Sequence, residues 1–163
     1  MSEQQFRIGL GYDVHQYEQG DFIILGGVSI PFGKKLKGHS DADVLLHSIT
    51  DALLGALSLG DIGTHFPDTD PAYKGADSKI LLHKTYELIK SHNYKLVNVD
   101  ATVVAEAPKL NPHINEIRNS IANCLDVGLD QISVKATTSE KMGFIGREEG
   151  IAVHSVVLIK SDS

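Results

Sequence analysis

Two kinds of segment alternate along this chain: short runs rich in β-branched residues, and longer runs whose apolar residues recur at helical spacing. The β-branched runs predict strands near residues 6–14, 22–30, 95–108, 131–138 and 150–160. The helical runs predict helices over 41–59, 77–92 and 111–125. Because strands and helices alternate, the sequence predicts one α/β domain over 1–163, with helices covering at least one face of a sheet.

The ends of the predicted helices are marked by residues that commonly cap helices. Ser40, with Asp43 three positions on, is the predicted N-cap of the first helix, and Gly60 is its predicted stop. Asp77 is the predicted cap of the second helix, and the Asn-Pro pair at 111–112 opens the third.

Charge and composition exclude several classes of protein. The formal net charge of −6 leaves no basic surplus for general nucleic-acid binding. No apolar run reaches the length of about 18 residues that a membrane span needs, and the N-terminal MSEQQF lacks a signal-peptide core. Cys124 is the only cysteine, which rules out an intrachain disulfide and favours the reducing cytoplasm. Its apolar neighbours favour a buried side chain over a nucleophile.

Asp13 and His15 lie two positions apart in the first predicted strand, so the strand's period of two points both side chains to one face. A divalent cation accepts such ligands, although a solvated strand end is the alternative. His47 in the first helix offers a third ligand. Asp43, His47 and Asp51 stand at i, i+4 and i+8, which puts a carboxylate within reach of the second imidazole nitrogen, unless this line is a solvated stripe. Three protein ligands would leave an open position for a substrate oxygen.

Further polar residues stand where an anion could bind. His39 and Ser40 precede the first helix and could present a ring N–H and a hydroxyl to an anion, with simple capping by Ser40 as the alternative. Two long polar connections, 60–77 and 139–150, mix Gly, Asp, Thr and Lys. That mixture suits phosphate or metal contacts, and it also suits plain turns.

Six blocks occur in order along nearly the whole chain: GYDVH, HSDADVLLH, TDALLGALSLGDIGTHFPDTDP, KGADS, AEAPKL and VKATTSEKMGFIGREEGIA. In this order the sequence resembles the 2-C-methyl-D-erythritol 2,4-cyclodiphosphate synthase family of the non-mevalonate isoprenoid pathway, over about residues 7–160. The resemblance implies conversion of 4-diphosphocytidyl-2-C-methyl-D-erythritol 2-phosphate into the 2,4-cyclodiphosphate. The substrate's 2-phosphate would attack the β-phosphorus, and CMP would leave.

The resemblance also implies which residues do the chemistry. The ligands of one Zn²⁺ per active site would be Asp13, His15 and His47. Glu140 would help to hold a second cation, Mg²⁺ or Mn²⁺, between the α- and β-phosphates. His39 and Thr138 match the positions that stabilise the transition state in the family.

Substrate contacts follow from the same resemblance. The methylerythritol phosphate part would be held by Asp61, Gly63, Phe66, Pro67, Asp68, Thr69 and Asp70, and Ser40 is a further implied substrate contact. The cytidine and CMP pocket would be formed by Ala105, Glu106, Ala107, Pro108, Lys109, Leu110 and Thr137, with Lys109 as its cation. Phe144 and Arg147 would lie near the axis of an oligomer, where an isoprenoid diphosphate could bind. His154 stands where some relatives carry an acidic residue, which puts that ligand in question.

The architecture implied by the resemblance is a four-stranded mixed sheet with helices on one face, plus a small β-hairpin. The family assembles as a homotrimer with each active site between neighbouring subunits. Two other functions are open at this point. A non-catalytic metal- and nucleotide-binding trimer would be expected to lack a ligand, and none is missing. A metal-dependent phosphodiesterase would use the same metals but release an open phosphate.

Overall fold

The computed structural model of the chain describes residues 3–162; residues 1, 2 and 163, at the ends of the predicted domain, lie outside the described residues. The strands are β1 (Phe6–Gln19), β2 (Phe22–Leu25), β3 (Val28–Pro31), β4 (Lys34–Leu36), β5 (Tyr94–Val104), β6 (Ile132–Thr137) and β7 (Gly150–Ser161). The helices are α1 (Val44–Ala56), α2 (Ile62–His65), α3 (Ser78–Ser91), α4 (Ile114–Leu125) and α5 (Gly143–Gly146). The predicted α/β class is confirmed.

Five strands form one mixed sheet in the order β4-β1-β7-β5-β6, and β2 and β3 form a separate hairpin. β7 lies antiparallel between β1 and β5, whereas β6 runs parallel to β5. The expected mixed sheet and hairpin are therefore present, but the expected strand number is one too low. The additional strand is β4, which pairs with the end of β1 through only three residues and is too short to show a sequence pattern.

The long helices lie on one face of the sheet, with α1 against β1 and β7, α3 against β5 and α4 against β6. α1 is buried on nearly every side. Only His47, Asp51 and Gly55 of α1 are not buried, and they stand at i, i+4 and i+8. One narrow stripe of this helix therefore reaches solvent, and His47 lies on it.

The predicted N-cap of α1 is wrong. Asp43 caps the helix, because its carboxylate accepts the backbone N–H of Leu46 at 3.0 Å, and the helix ends at Ala56, well before Gly60. Asp77 caps α3 as predicted. The third predicted helix begins with a 3₁₀ turn at residues 111–113 and continues as α4.

The predicted strand 22–30 is divided by a turn. Gly26 and Gly27 both adopt positive φ, a conformation that favours glycine, and so the chain reverses between β2 and β3. The buried carboxylate of Asp43 accepts the N–H groups of both glycines, at 3.0 and 2.7 Å. Burial raises the pKa of Asp43 to about 6, although three backbone N–H groups donate to it. This one side chain therefore joins the start of α1 to the hairpin.

The opposite face of the sheet is uncovered in the monomer, and it is apolar along β1. Alternate residues of β1 turn this way and are 41–73% exposed, namely Phe6, Ile8, Leu10, Tyr12 and Val14. Val156 of β7 extends the patch. Monomers rarely expose a contiguous apolar surface of this kind, so this face is a candidate interface. Among residues 3–162, the helices are all too short or too polar to cross a membrane.

Candidate metal centre and adjoining cavities

Two glycines let α1 lie directly on β1. Gly9 and Gly11 face the helix, and a Cβ atom on either would come within 1.8 Å of a backbone carbonyl oxygen, that of Ala52 or of Ser48 respectively. No side chain larger than hydrogen fits there. The close approach brings His47, the neighbour of Ser48, against the next inward-facing residues of β1.

Those next residues are Asp13 and His15, and the three predicted ligands meet. Asp13 Oδ2 lies 3.0 Å from His15 Nε2 and 3.3 Å from His47 Nδ1. The three side chains are 12–25% exposed, and one ligand atom from each lies within 4.8 Å of the others. Among residues 3–162 this is the one group of three or more His, Cys, Asp or Glu residues that could hold a metal ion.

Hydrogen bonds outside the cluster decide which ring nitrogens face inward. His15 Nδ1 lies 2.8 Å from the carbonyl oxygen of Lys37, which can only accept, so Nδ1 carries the hydrogen. Ser78 Oγ donates to the Asp41 carboxylate and is left to accept from His47 Nε2 at 2.8 Å. Each neutral imidazole therefore presents a lone pair to Asp13.

The prediction that a carboxylate of α1 holds the second nitrogen of His47 is wrong. Asp43 is the helix cap, and Asp51 accepts the N–H of Ile62 at 2.7 Å. The carboxylate of Asp41 orients His47 indirectly instead. It accepts hydrogen bonds from Ser78, and the Ser78 hydroxyl in turn contacts His47 Nε2. Ser78 begins α3, and the helical period of α1 carries no information about it.

The charges of the cluster are strongly coupled. Burial by itself would raise the pKa of Asp13, but hydrogen bonds from the protonated rings of His15 and His47, and the positive charge of those rings, outweigh it and lower that pKa to about 2. Burial would lower the pKa of His15, and the Asp13 carboxylate outweighs it and raises that pKa. Asp13 is thus an anion throughout the neutral range.

These residues fit a metal ion. Asp13 Oδ2 and His15 Nε2 are buried, and neither has a hydrogen-bond partner among the described residues, because their mutual alignment does not make a hydrogen bond. Ligand atoms about 2.1 Å from a tetrahedral ion stand about 3.4 Å apart, close to the spacing seen here. A shared cation satisfies both orphaned atoms, and the orientation of each ring by an outside partner is typical of metal sites.

The cluster opens into a cavity of about 210 Å³. Predicted residues lining it are Asp13, His15, His39, Ser40, His47, Gly63, Phe66 and Asp68. Tyr73 and Lys74 also line it and were not predicted, although Lys74 opens the KGADS block. Lys74 adds a cation beside the metal centre.

The remaining predicted contacts near this cavity do not line it. Asp61 caps α2 and accepts two hydrogen bonds from Thr64, which lower its pKa. Asp70 caps the following 3₁₀ turn by accepting the N–H of Ala72. Pro67 and Thr69 lie in the connection between these turns. In the monomer these residues shape the loop.

A second cavity, of about 380 Å³, contains most of the predicted cytidine pocket. Its lining includes the predicted Ala105, Glu106, Pro108, Lys109, Leu110, Thr137 and Thr138, and the unpredicted Asn111 and Ala136. Ala107 is not among them, and its carbonyl oxygen accepts a hydrogen bond from Tyr17 Oη at 2.6 Å. Tyr17 lies two positions after His15 in β1, and its hydrogen bond therefore links the segment 105–110 to the strand that carries Asp13 and His15.

The two cavities lie at the same end of the sheet. Val14, Ala152, Val104 and Thr137 form one row across β1, β7, β5 and β6. Three strand spacings separate β1 from β6, which amounts to about 14 Å. The metal centre and the start of the Thr138 loop therefore stand well apart within one chain.

The last three predicted residues lie beyond β6. Glu140 is exposed on the loop between β6 and α5, and it is not part of the metal cluster. Phe144 is 41% exposed and lines a separate shallow cavity with Val14 and His15. The exposed Arg147 side chain pairs with Glu149 at 2.8 Å.

Comparison with known proteins assigns the family. The YgbB family model matches residues 6–160. A 2-C-methyl-D-erythritol 2,4-cyclodiphosphate synthase of Chloroherpeton thalassium is 60% identical over 94% of this chain and 98% of its own, and one of Pseudomonas fluorescens is 63% identical over the same shares. The solved structure of Plasmodium falciparum IspF in a CDP complex matches with a TM-score of 0.86 at 38% identity, covering 99% of this chain and 100% of that one. The chain belongs to the YgbB family and is similar along nearly its whole length to 2-C-methyl-D-erythritol 2,4-cyclodiphosphate synthases.

Proposed function

We propose that this protein converts 4-diphosphocytidyl-2-C-methyl-D-erythritol 2-phosphate into 2-C-methyl-D-erythritol 2,4-cyclodiphosphate and CMP, a step of non-mevalonate isoprenoid biosynthesis. The relatives that carry this enzyme name are about 60% identical over 94% of the chain. The observation that carries the chemistry is the orphaned pair of Asp13 Oδ2 and His15 Nε2, which face His47 in a cavity. The alternative of a non-catalytic binding protein is not supported.

The metal centre suits zinc. Two imidazoles and one carboxylate are a ligand set that zinc takes, and three protein ligands leave a position for a substrate oxygen. Glu140 offers a carboxylate to Mg²⁺ or Mn²⁺, which prefer oxygen ligands. When bound, such cations supply positive charge that neutralises phosphate oxygens.

The protein's own residues then bind and align the substrate. The cavity at the metal centre, with Lys74, His39 and Ser40, takes the methylerythritol phosphate part. The cavity along residues 105–110, with Lys109 as its cation, takes the cytidine part, in keeping with the CDP complex of the Plasmodium relative. Phosphoryl transfer depends mainly on in-line alignment and charge stabilisation, so the chain needs no covalent nucleophile.

The covalent change is confined to the substrate. An oxygen of the 2-phosphate forms a bond to the β-phosphorus while the bond from that phosphorus to the CMP oxygen breaks, and CMP leaves as the anion. In this proposal His39 and Thr138 donate hydrogen bonds to the phosphate oxygens on which charge develops.

The catalytic unit in this proposal is a homotrimer with sites between subunits. Side chains act on a phosphorus over about 3 Å, whereas about 14 Å separates β1 from β6 in one chain. Hence His39 of one subunit and Thr138 of a neighbour would meet at one substrate. The exposed apolar residues of β1, from Phe6 to Val14, supply a surface for this assembly. A cytoplasmic location accords with the single, unpaired Cys124.

The test is a product analysis by mass spectrometry. Purified protein, given zinc, magnesium and 4-diphosphocytidyl-2-C-methyl-D-erythritol 2-phosphate, is expected to release the cyclic diphosphate and CMP in equal amounts. If only open, hydrolysed methylerythritol phosphates accompany CMP, the protein is a phosphodiesterase and the proposal is wrong. His47→Ala is expected to lose zinc and nearly all turnover, whereas His92→Ala, at the exposed end of α3, serves as the matched control. Thr138→Ala is expected to slow turnover with its metal content intact.

A further inference from the structure

We propose that Glu106 is a positioning residue: its carboxylate holds the loop 138–142, which carries Thr138 and Glu140, in its working shape. This assignment rests on the proposed function for the roles of Thr138 and Glu140. It differs from the role that the family resemblance implies for Glu106, which is contact with the cytidine part of the substrate.

The first observation is the hydrogen bonding of Glu106. Its Oε1 atom accepts the backbone N–H of Ser139 at 2.8 Å and that of Lys141 at 3.4 Å. Ser139 Oγ lies 3.2 Å from the same oxygen. These donors lower the pKa of Glu106, the Ser139 N–H foremost, so the acceptor is a carboxylate anion. Hydrogen bonds to a charged acceptor are stronger than neutral ones.

The second observation is the shape of the loop itself. Glu140 and Lys141 adopt φ values of 54° and 60°, in the left-handed region that non-glycine residues rarely occupy. Two such residues in succession persist only where the surroundings hold them. The carboxylate of Glu106 meets the N–H groups on both sides of Glu140, and it is therefore placed to stabilise this conformation.

The loop conformation in turn orients the two functional side chains. Thr138 Oγ1 accepts the N–H of Glu140 at 3.2 Å, so the hydroxyl of one is linked to the backbone of the other. Glu106 also lines the cavity assigned to the nucleotide, between Ala105 and Pro108. One side chain thus connects the wall of the nucleotide cavity to the groups that act on the phosphates.

The test separates positioning from direct contact by comparing Glu106→Ala and Glu106→Gln with the parent protein. For Glu106→Ala we expect amide hydrogen exchange in residues 138–142 to accelerate at least about tenfold, since the backbone bonds are lost. We expect kcat to fall by about 10- to 100-fold with little change in KM. Affinity for CDP, measured by calorimetry, should stay within about threefold. Glu106→Gln, which keeps an acceptor oxygen, should recover part of the loss.

The outcomes are distinct. If CDP affinity falls as far as kcat while exchange in the loop is unchanged, Glu106 touches the nucleotide and the positioning role is wrong. If the parent protein shows no cyclising activity, the proposed function fails, and the exchange measurement still decides whether Glu106 holds the loop. The matched control is Glu116→Gln, which changes an exposed carboxylate on α4. It should leave loop exchange, kcat, KM and CDP affinity unchanged.

Discussion

Gly11→Ala tests the claim that close packing of α1 on β1 builds the metal centre. The new Cβ would lie 1.8 Å from the Ser48 carbonyl oxygen and 2.8 Å from its carbonyl carbon. Cβ atoms essentially never come within 3.0 Å of another heavy atom. The helix must therefore retreat by about 1.2 Å, the difference between 1.8 and 3.0 Å, because the clash is with backbone and no rotamer change relieves it.

His47 precedes Ser48 and moves with it. Its Nδ1 atom lies 3.3 Å from Asp13 Oδ2, and a displacement of about 1 Å exceeds the tolerance of about 0.5 Å for a functional constellation. We expect zinc affinity to fall by about 10- to 100-fold, the size of effect seen when the support of a metal ligand is lost. Overpacking should also lower the free energy of unfolding by about 1–3 kcal/mol.

The assay is competition for zinc between the metal-free protein and a chromophoric chelator, with chemical denaturation for stability. Gly9→Ala is the matched control, because its Cβ meets the Ala52 carbonyl oxygen at the same 1.8 Å, about 6 Å further along α1. It should cost similar stability and less zinc affinity. Gly33→Ala, with nothing within 4 Å of its Cβ, should change neither. A folded Gly11→Ala protein with parental zinc affinity would refute the reasoning, as would equal losses of affinity in Gly9→Ala and Gly11→Ala.

Three further substitutions and the reactivity of one thiol have definite expected outcomes. Ser78→Ala removes the hydroxyl 2.8 Å from His47 Nε2 and should weaken zinc binding by about 10- to 100-fold in the chelator assay. Ser40→Ala removes the more distant hydroxyl, 3.2 Å from the same nitrogen, and should weaken zinc binding less; equal effects would contradict the assignment. Asp43→Asn should lower the free energy of unfolding by about 2–3 kcal/mol in urea, since one amide oxygen cannot serve three backbone N–H donors, and an unchanged midpoint would argue against this role. Leu10→Glu puts a charge on the exposed apolar surface of β1, and light scattering should show monomers in place of the proposed trimer. A parent protein that is already monomeric would rule out the assembly. Cys124, whose pKa burial raises to about 11, should react with iodoacetamide about 100-fold more slowly than a free thiol at pH 7.5, because its thiolate fraction is that much smaller; a normal rate would show an unburied thiol.

Much of the metal centre can be predicted from local periodicity. The period of two in β1 places Asp13 and His15 on one face, and the helical period of α1 places His47 on a single stripe. Those relations depend only on the geometry of one element. The ordered blocks from GYDVH to the final strand likewise predict the family, and the family match over residues 6–160 confirms it.

Other features are decided by contacts between segments that are far apart in the chain. The second nitrogen of His47 contacts Ser78 and not a carboxylate of α1. Ser78 is 31 positions further along the chain, and it reaches His47 because α3 packs against α1. Asp43 and not Ser40 caps α1, and its carboxylate also accepts the N–H of Gly26 in the distant hairpin turn. No periodic pattern contains these pairings.

The sequence by itself therefore determined the fold class, the family and the face on which each candidate metal ligand lies, because period and motif are properties of neighbouring residues. The tertiary structure decided how close α1 comes to β1, which nitrogen each imidazole presents, and that Glu106 reaches the loop 138–142. Each of those depends on packing at distances of a few ångströms between elements. Spacing along the chain predicts which side chains share a face, and only the packed elements determine what those side chains touch.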